Sequence, residues 1–370
     1  MVNRPMSENS GVVVIGAGLS GLVAARRLVA AGQPVRVLEA RDLVGGRTRA
    51  VAAVPGAGLV DVGATWGWAH HPYLMALARE LSIAPFEQYS AGHLAYETGG
   101  TVHRLGQASG SAGYLRFGGG AAVVAQTVAA ALPAGTMQLN TRVTQLRQVA
   151  GGVEVEAEEG GQLRTYHAAA VVVALPPRLA AHSLRFEPEL PAAVRAAQQA
   201  MPTWMSHAMK SVITYETPFW RGQGWSGFAV SQLGPLTEIH DATPPEGEPG
   251  VLFGFFAGPH PLRSAVPAAR ETAVTAQLTR LFGPPAARPL AYQELDWTRE
   301  PFTSTPADAA PPLSVPLQAP VELATPLWQG RLLWAGAETA TGEWGRLDGA
   351  IEAGERAARQ VLAGAAVTQG

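Results

Sequence analysis

GVVVIGAGLSGLVAARRLVAAGQPVRVLEARDLVGGRTR, residues 11–49, decides the fold. Residues 12–15 are a short apolar run rich in β-branched side chains, the mark of a strand buried on both faces. Gly16, Gly18 and Gly21 follow in G-x-G-x-x-G spacing. Leu22, Ala25, Leu28 and Val29 then recur at helical spacing, with Arg26 and Arg27 on another face. Gly32 stops the helix, Pro34 follows, and 35–38 form a second strand that ends at Glu39. The parts make one βαβ unit in order, which places the chain in the α/β class.

Each glycine answers a physical need. Gly16 permits the tight turn off the strand, Gly18 lets a pyrophosphate approach the backbone, and Gly21 lets helix and sheet pack closely. Leu19 and Ser20 open the helix, whose free N–H groups carry about half a positive charge towards the phosphates. Glu39 stands where an acid accepts hydrogen bonds from ribose hydroxyls, and Ala40 and Arg41 continue that edge. An acid there argues against a 2′-phosphate, and so against NADP.

The next segment separates NAD from FAD. Gly45 and Gly46 followed by Arg47, directly after the ribose acid, resemble the second signature of the flavin amine oxidase family. That family includes monoamine, polyamine and L-amino-acid oxidases. The resemblance implies that Arg47 contacts the FAD phosphates while the two glycines let the loop fold over them.

Composition sets the limits. Of 370 residues, 47% are hydrophobic and 15% charged, as in a globular enzyme with a large core. A net charge of −2 gives no electrostatic case for nucleic acid or for an anionic membrane. Cysteine is absent, which rules out disulfides, thiolate metal sites and flavin attachment through a cysteine, so FAD is expected to be non-covalent. Residues 1–10 have no apolar core and are expected to be a loose tail rather than a signal peptide. No apolar run reaches membrane-spanning length, so a cytoplasmic protein is the expectation. Of the 27 basic residues only Lys210 is lysine, in a chain rich in Ala, Gly and Pro. A lysine kept in such a composition draws notice, because the pKa of a compact amine moves when it is buried.

Further motifs carry the resemblance along the chain. LVDVGATWGW, residues 59–68, is read as a strand followed by small residues. It resembles the family segment that passes the flavin, which implies cofactor contact by Gly63, Ala64, Thr65 and Trp66, with Trp68 lining the substrate pocket. His70 and His71 are read as a loop rather than a metal site, since no further ligand follows at suitable spacing. A helix is expected at 73–81, two or three short strands over 86–104, and a small polar linker at 106–113. The family carries a long helical insertion here; its shortening implies a more open pocket. At 117–132 a glycine cluster leads into a helix, and a meander fills 137–174 as five strands, with 163–166 and 170–174 separate. NTRV at 140–143 resembles the segment whose Val, here Val143, holds the adenine. VVVALPP at 171–177 closes the nucleotide-binding part.

From 178 to about 325 the chain is richer in Pro and aromatics. Helices are expected at 192–200 and 267–282, with strands at 227–230, around Ile239 and at 251–256. MKSVITYETPFWR, residues 209–221, resembles the strand whose lysine faces flavin N5 through a water, and Lys210 takes that position. Trp297 matches a Trp packed beside the flavin. LLWAGAETATGEWGRLDGAIEAGERAA, residues 332–358, resembles the C-terminal FAD motif, which implies cofactor roles for Gly336, Glu338 and Leu347.

One departure bears on the reaction. Relatives place an aromatic residue at the position of Arg346, as one wall of a cage for the amine, and the second wall near Pro306 is missing too. Trp344 or Trp68 is the expected substitute, and Arg346 is read either as a carboxylate holder or as a solvent-facing residue. The resemblance implies a p-hydroxybenzoate-hydroxylase-like two-domain flavoprotein with a Rossmann-type FAD domain (11–70, 117–181, 326–365) and a mixed-sheet substrate domain (71–116, 182–325). The expected activity is amine oxidation with dioxygen as acceptor. A desaturase or dehydrogenase acting on a non-amine, and a non-catalytic FAD-binding protein, stay open. The oligomeric state is left open as well.

Overall fold

In the computed structural model, which describes residues 7–107, 113–258, 260–316 and 318–368, the opening motif lies where one strand turns into one helix. The strands of the first third are β1 (Ser7–Ile15), β2 (Val35–Leu38), β3 (Ala50–Ala52), β4 (Leu59–Asp61), β5 (Pro85–Glu87), β6 (His93–Thr98) and β7 (Thr101–Gln107). The middle adds β8 (Leu115–Phe117), β9 (Met137–Gln138), β10 (Thr141–Val149), β11 (Gly152–Glu159), β12 (Gln162–Val173) and β13 (Arg185–Glu187). The remainder supplies β14 (Met209–Tyr215), β15 (Trp225–Ser231), β16 (Leu236–Asp241), β17 (Gly250–Phe256), β18 (Ala291–Asp296) and β19 (Leu332–Trp334). Helices α1 (Leu19–Ala30), α2 (Pro72–Glu80), α3 (Ala122–Ala130) and α4 (Pro177–Ser183) precede α5 (Ala192–Ala200), α6 (Phe219–Gly222), α7 (Pro267–Phe282) and α8 (Leu347–Thr368).

Eight strands form one sheet, in the order β13-β10-β11-β12-β1-β2-β9, with β19 also paired to β12. Strands β19, β12, β1, β2 and β9 run parallel, and β10 and β11 join β12 as an antiparallel meander. Alternate residues of the parallel strands enter two cores, as a sheet covered on both faces requires. Val12, Val14, Val37 and Val172 pack under α1, α3 and α8, whereas Val13, Ile15, Leu38 and Val173 face the meander and α4. A second, seven-stranded sheet has the order β18-β14-β17-β16-β15-β6-β7. Its outer face buries Ile213, Ile239 and Leu252 against Val274, Leu278 and Phe282 of α7. Its inner face brings Val212, Val251 and Phe253 against Val60 and Val62, next to Trp66.

Several expectations need correction. Residues 7–10, expected in a loose tail, pair in register with Thr165 to Ala168 as the start of β1. Their polar side chains hid a strand that backbone pairing alone supports. Residues 163–166 and 170–173, expected in two strands, belong to the single strand β12, because β1 pairs with it across the interval between them. The packing also moves the expected domain edges. Leu74, Leu77 and Ala78 of α2 join the core of α1, α3 and α8, and β13 pairs with β10 in the first sheet. Residues 72–80 and 185–187 thus pack with the nucleotide-binding half. Of the linker expected at 106–113, Gly106 and Gln107 extend β7, and residues 108–112 lie outside the described residues.

Candidate active site

A cavity of about 660 Å³ runs from the β1–α1 turn to the inner face of the second sheet. At one end it is lined by Gly16, Gly18, Leu19, Ser20, Glu39, Ala40, Arg41 and Val143. The middle is formed by Gly45, Gly46, Arg47, Ala337 and Leu347. Gly63, Ala64, Thr65, Trp66, Trp68, Lys210, Trp297 and Arg346 line the other end. Gly21, Gly336, Glu338 and Trp344, also expected at the site, do not line it.

The helix α1 begins at Gly18 with no side-chain cap, so its first N–H groups stay available at the cavity wall. The carboxylate of Glu39 is fixed by accepting from Ala17 N at 2.7 Å and Arg41 N at 2.9 Å. An ionised carboxylate keeps further lone pairs beyond those two bonds. Val143 lies beside a register shift in β10, which re-aims the strand where it meets the cavity. Arg41 donates to Thr303 Oγ1 at 2.8 Å and pairs with Glu300 at 3.2 Å. An uncapped helix start, a glycine turn, a fixed acid and two arginines suit a dinucleotide diphosphate, so these residues fit FAD.

The four residues outside the lining act through their neighbours. A Cβ on Gly21 would stand 2.0 Å from Gly16 O, and one on Gly336 would stand 2.2 Å from Leu175 O; both glycines allow backbones to meet. Glu338 is fully buried and grips the Arg47 guanidinium with both oxygens, while it accepts from Trp204 N at 3.0 Å. It therefore orients Arg47 from behind. Trp344 is buried, donates to Glu338 O at 3.1 Å and meets Trp204 edge-on. Trp204 is the ring that reaches the cavity.

Lys210 is the most unusual group in the wall. It lies in β14, 1% exposed, on the inner face shared with Val212. Its ammonium donates to Thr65 Oγ1 at 2.6 Å and Gly63 O at 3.2 Å, and it stands 3.9 Å from the centre of the Phe253 ring. Burial pushes its pKa well down; Asp61 opposes that shift, and Arg116 adds to it. Asp61 is itself pushed up by burial, against the pull of Lys210, Arg116 and the N–H groups of Ala121 and Ala122.

Around Lys210 the wall is aromatic. Trp66 donates to Gln88 Oε1 at 2.6 Å and meets Tyr114 at 4.9 Å between ring centres. Tyr114 and Trp68 cross edge-to-face at 5.3 Å and 77°. Trp297 is fixed by donating to Val62 O at 3.0 Å. Tyr114 escaped the sequence reading because it follows the small polar stretch and belongs to no motif. Trp204 and Phe302 were not singled out either.

Arg346 does line the cavity, but its guanidinium is bound to Glu343 and stands 5.9 Å from the centre of the Trp68 ring. Its side chain is 46% exposed, in keeping with the solvent-facing reading, and the carboxylate it holds is that of Glu343. The same Glu343 stands 3.3 Å from His71 Nε2 and 3.9 Å from His70 Nε2. His70, His71 and Glu343 thus form a group whose ligating atoms lie within 4.8 Å of one another, with a partner that local spacing could not reveal. Asp348 has a second surprise: from the first turn of α8 its carboxylate accepts from Leu74 N at 2.7 Å and so caps α2. Among the described residues no helix is long and apolar enough to cross a membrane.

Comparison with known proteins accounts for this arrangement. The family model described as flavin containing amine oxidoreductase matches residues 19–112 and 93–362. The putrescine oxidase of Kocuria rosea is 28% identical over 96% of this chain and 96% of its own length. A flavin-containing amine oxidase of Oncorhynchus mykiss is 30% identical over 72% of this chain and 50% of its own. The solved cyclohexylamine oxidase of Brevibacterium oxydans superposes with a TM-score of 0.83 at 23% identity, over 97% of this chain and 99% of its own. With a glycine turn, a fixed acid and a C-terminal helix converging on one cavity, the chain belongs to the flavin-containing amine oxidoreductase family and is an FAD-dependent oxidoreductase.

Proposed function

We propose that this chain oxidises a small amine at the end of the cavity walled by Lys210, Trp66, Trp68 and Tyr114, with dioxygen as the final acceptor. The observation that carries the reading is Lys210: the single lysine of the chain, fully buried, in a cavity wall that also holds Gly63, Thr65 and the rings of Trp66, Trp68 and Tyr114. Bound FAD supplies the chemistry, by accepting a hydride from the carbon that bears the amine nitrogen and passing both electrons to dioxygen to give peroxide.

The residues provide the setting. Gly16, Gly18, Ser20, Glu39, Arg41 and Val143 bind the nucleotide end, and Gly45, Gly46 and Arg47 bind the diphosphate. Gly63, Ala64, Thr65, Trp66, Trp297 and Leu347 bound the reactive end. Lys210 keeps one water at a fixed place through a donor that Thr65 and Gly63 orient. Trp68 and Tyr114 exclude bulk water and grip the carbon chain of the substrate. Such rings also favour an amine nitrogen over their faces, the role expected of a cage wall. Arg346 leaves the cavity free of a bare positive charge because Glu343 neutralises it.

The test is anaerobic mixing of the FAD-loaded protein with primary amines, diamines and amino acids, followed by air. Flavin bleaching by an amine and stoichiometric peroxide on reoxidation are the expected results. Bound flavin that no amine bleaches would refute the reading.

A further inference from the structure

One cluster of side chains lies behind the Trp68 wall of the cavity and outside its lining: His70, His71 and Glu343. Its parts are brought together by different elements. His71 is the N-cap residue of α2; its N–H donates to Trp68 O at 2.9 Å, and its ring meets Trp68 edge-on at 4.9 Å. The His70 ring crosses that of His71 at 4.9 Å and 83°. Glu343 comes from the loop before α8 and takes a left-handed backbone, at φ 46°. The start of α8 holds it there, since a Cβ on Gly349 would stand 2.3 Å from Glu343 O. Asp348 caps the start of α2 at Leu74 N, so the positive end of that helix does not repel a cation beside His71.

Two imidazole nitrogens and one carboxylate oxygen are a donor set for late first-row divalent ions, and a chain without cysteine has no thiolate to compete. In a tetrahedral zinc site, bonds of about 2.0–2.1 Å set neighbouring donors about 3.3 Å apart. His71 Nε2 stands 3.3 Å from Glu343 Oε2, and His70 Nε2 stands 3.9 Å from Glu343 Oε1. His70 is 68% exposed, so its ring is free to close the remaining distance, and the fourth position is left to water. His71 Nδ1 is buried with no hydrogen-bond partner among the described residues. A metal at Nε2 therefore breaks no contact of the ring nitrogens except the one to Glu343, which the metal itself replaces. Arg346 is the competitor: its guanidinium is bound to Oε2, the same oxygen that faces His71.

We propose that His70, His71 and Glu343 bind a divalent ion of the zinc class behind Trp68, in competition with Arg346 for the Glu343 carboxylate. Occupancy leaves Arg346 with an unpaired charge next to the Trp68 ring. That this charge weakens amine binding rests on the reading of the cavity given above; the metal site does not.

Zn2+ is titrated calorimetrically into the FAD-loaded protein, and saturable binding of a single ion is expected. His70→Ala alters an exposed side chain and keeps the fold. It is expected to weaken zinc binding about tenfold or more, since even the outer partners of metal ligands are worth that much. Co2+ should give the visible absorption of a four-coordinate site in the parent and not in His70→Ala. Arg346→Met removes the competitor and is expected to tighten zinc binding. No saturable binding, or equal affinity in His70→Ala, overturns the proposal; affinity that stays or falls in Arg346→Met overturns the competition. Peroxide release is then measured with and without Zn2+. KM for the amine is expected to rise with kcat kept, in the parent and not in His70→Ala. If zinc binds at these residues and KM stays, the metal site stands and the placing of the amine near Arg346 fails.

Discussion

Replacing Lys210 with Met is expected to strengthen the fold while it disables the site. Lys210 is 1% exposed, and burial pushes its ammonium from 10.5 down to about 7. At about 1.36 kcal/mol per pH unit, carrying that proton costs the folded chain about 4 kcal/mol at neutral pH. Met has a similar unbranched shape and no charge to desolvate. Its introduction loses the bonds to Thr65 and Gly63, worth about 1–2 kcal/mol. The loss is limited because the Thr65 hydroxyl already lies 3.3 Å from Gly63 O. The net gain is about 2–3 kcal/mol, which for a chain of this size is a rise in Tm of about 3 °C. The pH dependence has a definite sign. The folded pKa lies below the unfolded one, so the penalty is complete below the folded value and fades as pH rises towards 10.5. Thermal unfolding of parent and variant from pH 6 to pH 10 is the assay, with amine-driven flavin bleaching beside it. A variant less stable than the parent at pH 7, or a stability gap that does not narrow with rising pH, would refute the reasoning.

Four further substitutions probe the site and its supporting structure. Glu338→Gln removes the charge that grips Arg47; because Arg47 is partly exposed, the expected loss is about 2–3 kcal/mol, below that of a wholly buried pair, with weaker FAD retention on dilution. Gly63→Ala places a Cβ 2.1 Å from Arg47 O and 2.9 Å from Arg49 N, both backbone atoms. Denaturant unfolding should report a loss of about 3 kcal/mol, and the Thr65 contact with Lys210 should loosen. Asp348→Ala leaves the first turn of α2 uncapped, at about 1 kcal/mol, read as faster amide exchange at Leu74. Trp68→Ala is expected to raise KM for the amine more than it lowers kcat, which steady-state peroxide release would show.

The nucleotide end was almost entirely legible because its chemistry is local. Gly16, Gly18 and Glu39 serve a phosphate and a ribose within one βαβ unit, and their spacing carries the meaning. Lys210 was legible for a compositional reason and by its strand. The aromatic wall was legible only in part. Trp66 and Trp68 follow a recognisable segment, whereas Tyr114 reaches them through β5–β8 pairing and the Gly67–Leu115 bridge, which no local pattern encodes. Trp344 was misplaced for a related reason: proximity in sequence to Arg346 says nothing about which of two edge-to-face indoles lines the cavity. Asp61 looked like one polar residue of an alternating strand. Its partners arrive from β8, β14 and the start of α3, all distant in the chain. The polar start of β1 and the length of β12 were hidden because hydrogen bonding to a neighbour, not side-chain pattern, sustains them.

The burial of the one lysine has a consequence for how the protein meets aldehydes. Aldehydes condense with unprotonated primary amines, and most enzymes present many lysines to them. In this chain Lys210 lies inside the fold, and the 26 remaining basic residues are arginines. Apart from the α-amino group, its outer surface offers a released aldehyde no primary amine. Bifunctional aldehydes used for fixation or immobilisation should leave the outer surface largely unlinked, and the one lysine that an aldehyde formed in the cavity could meet is Lys210 in its wall.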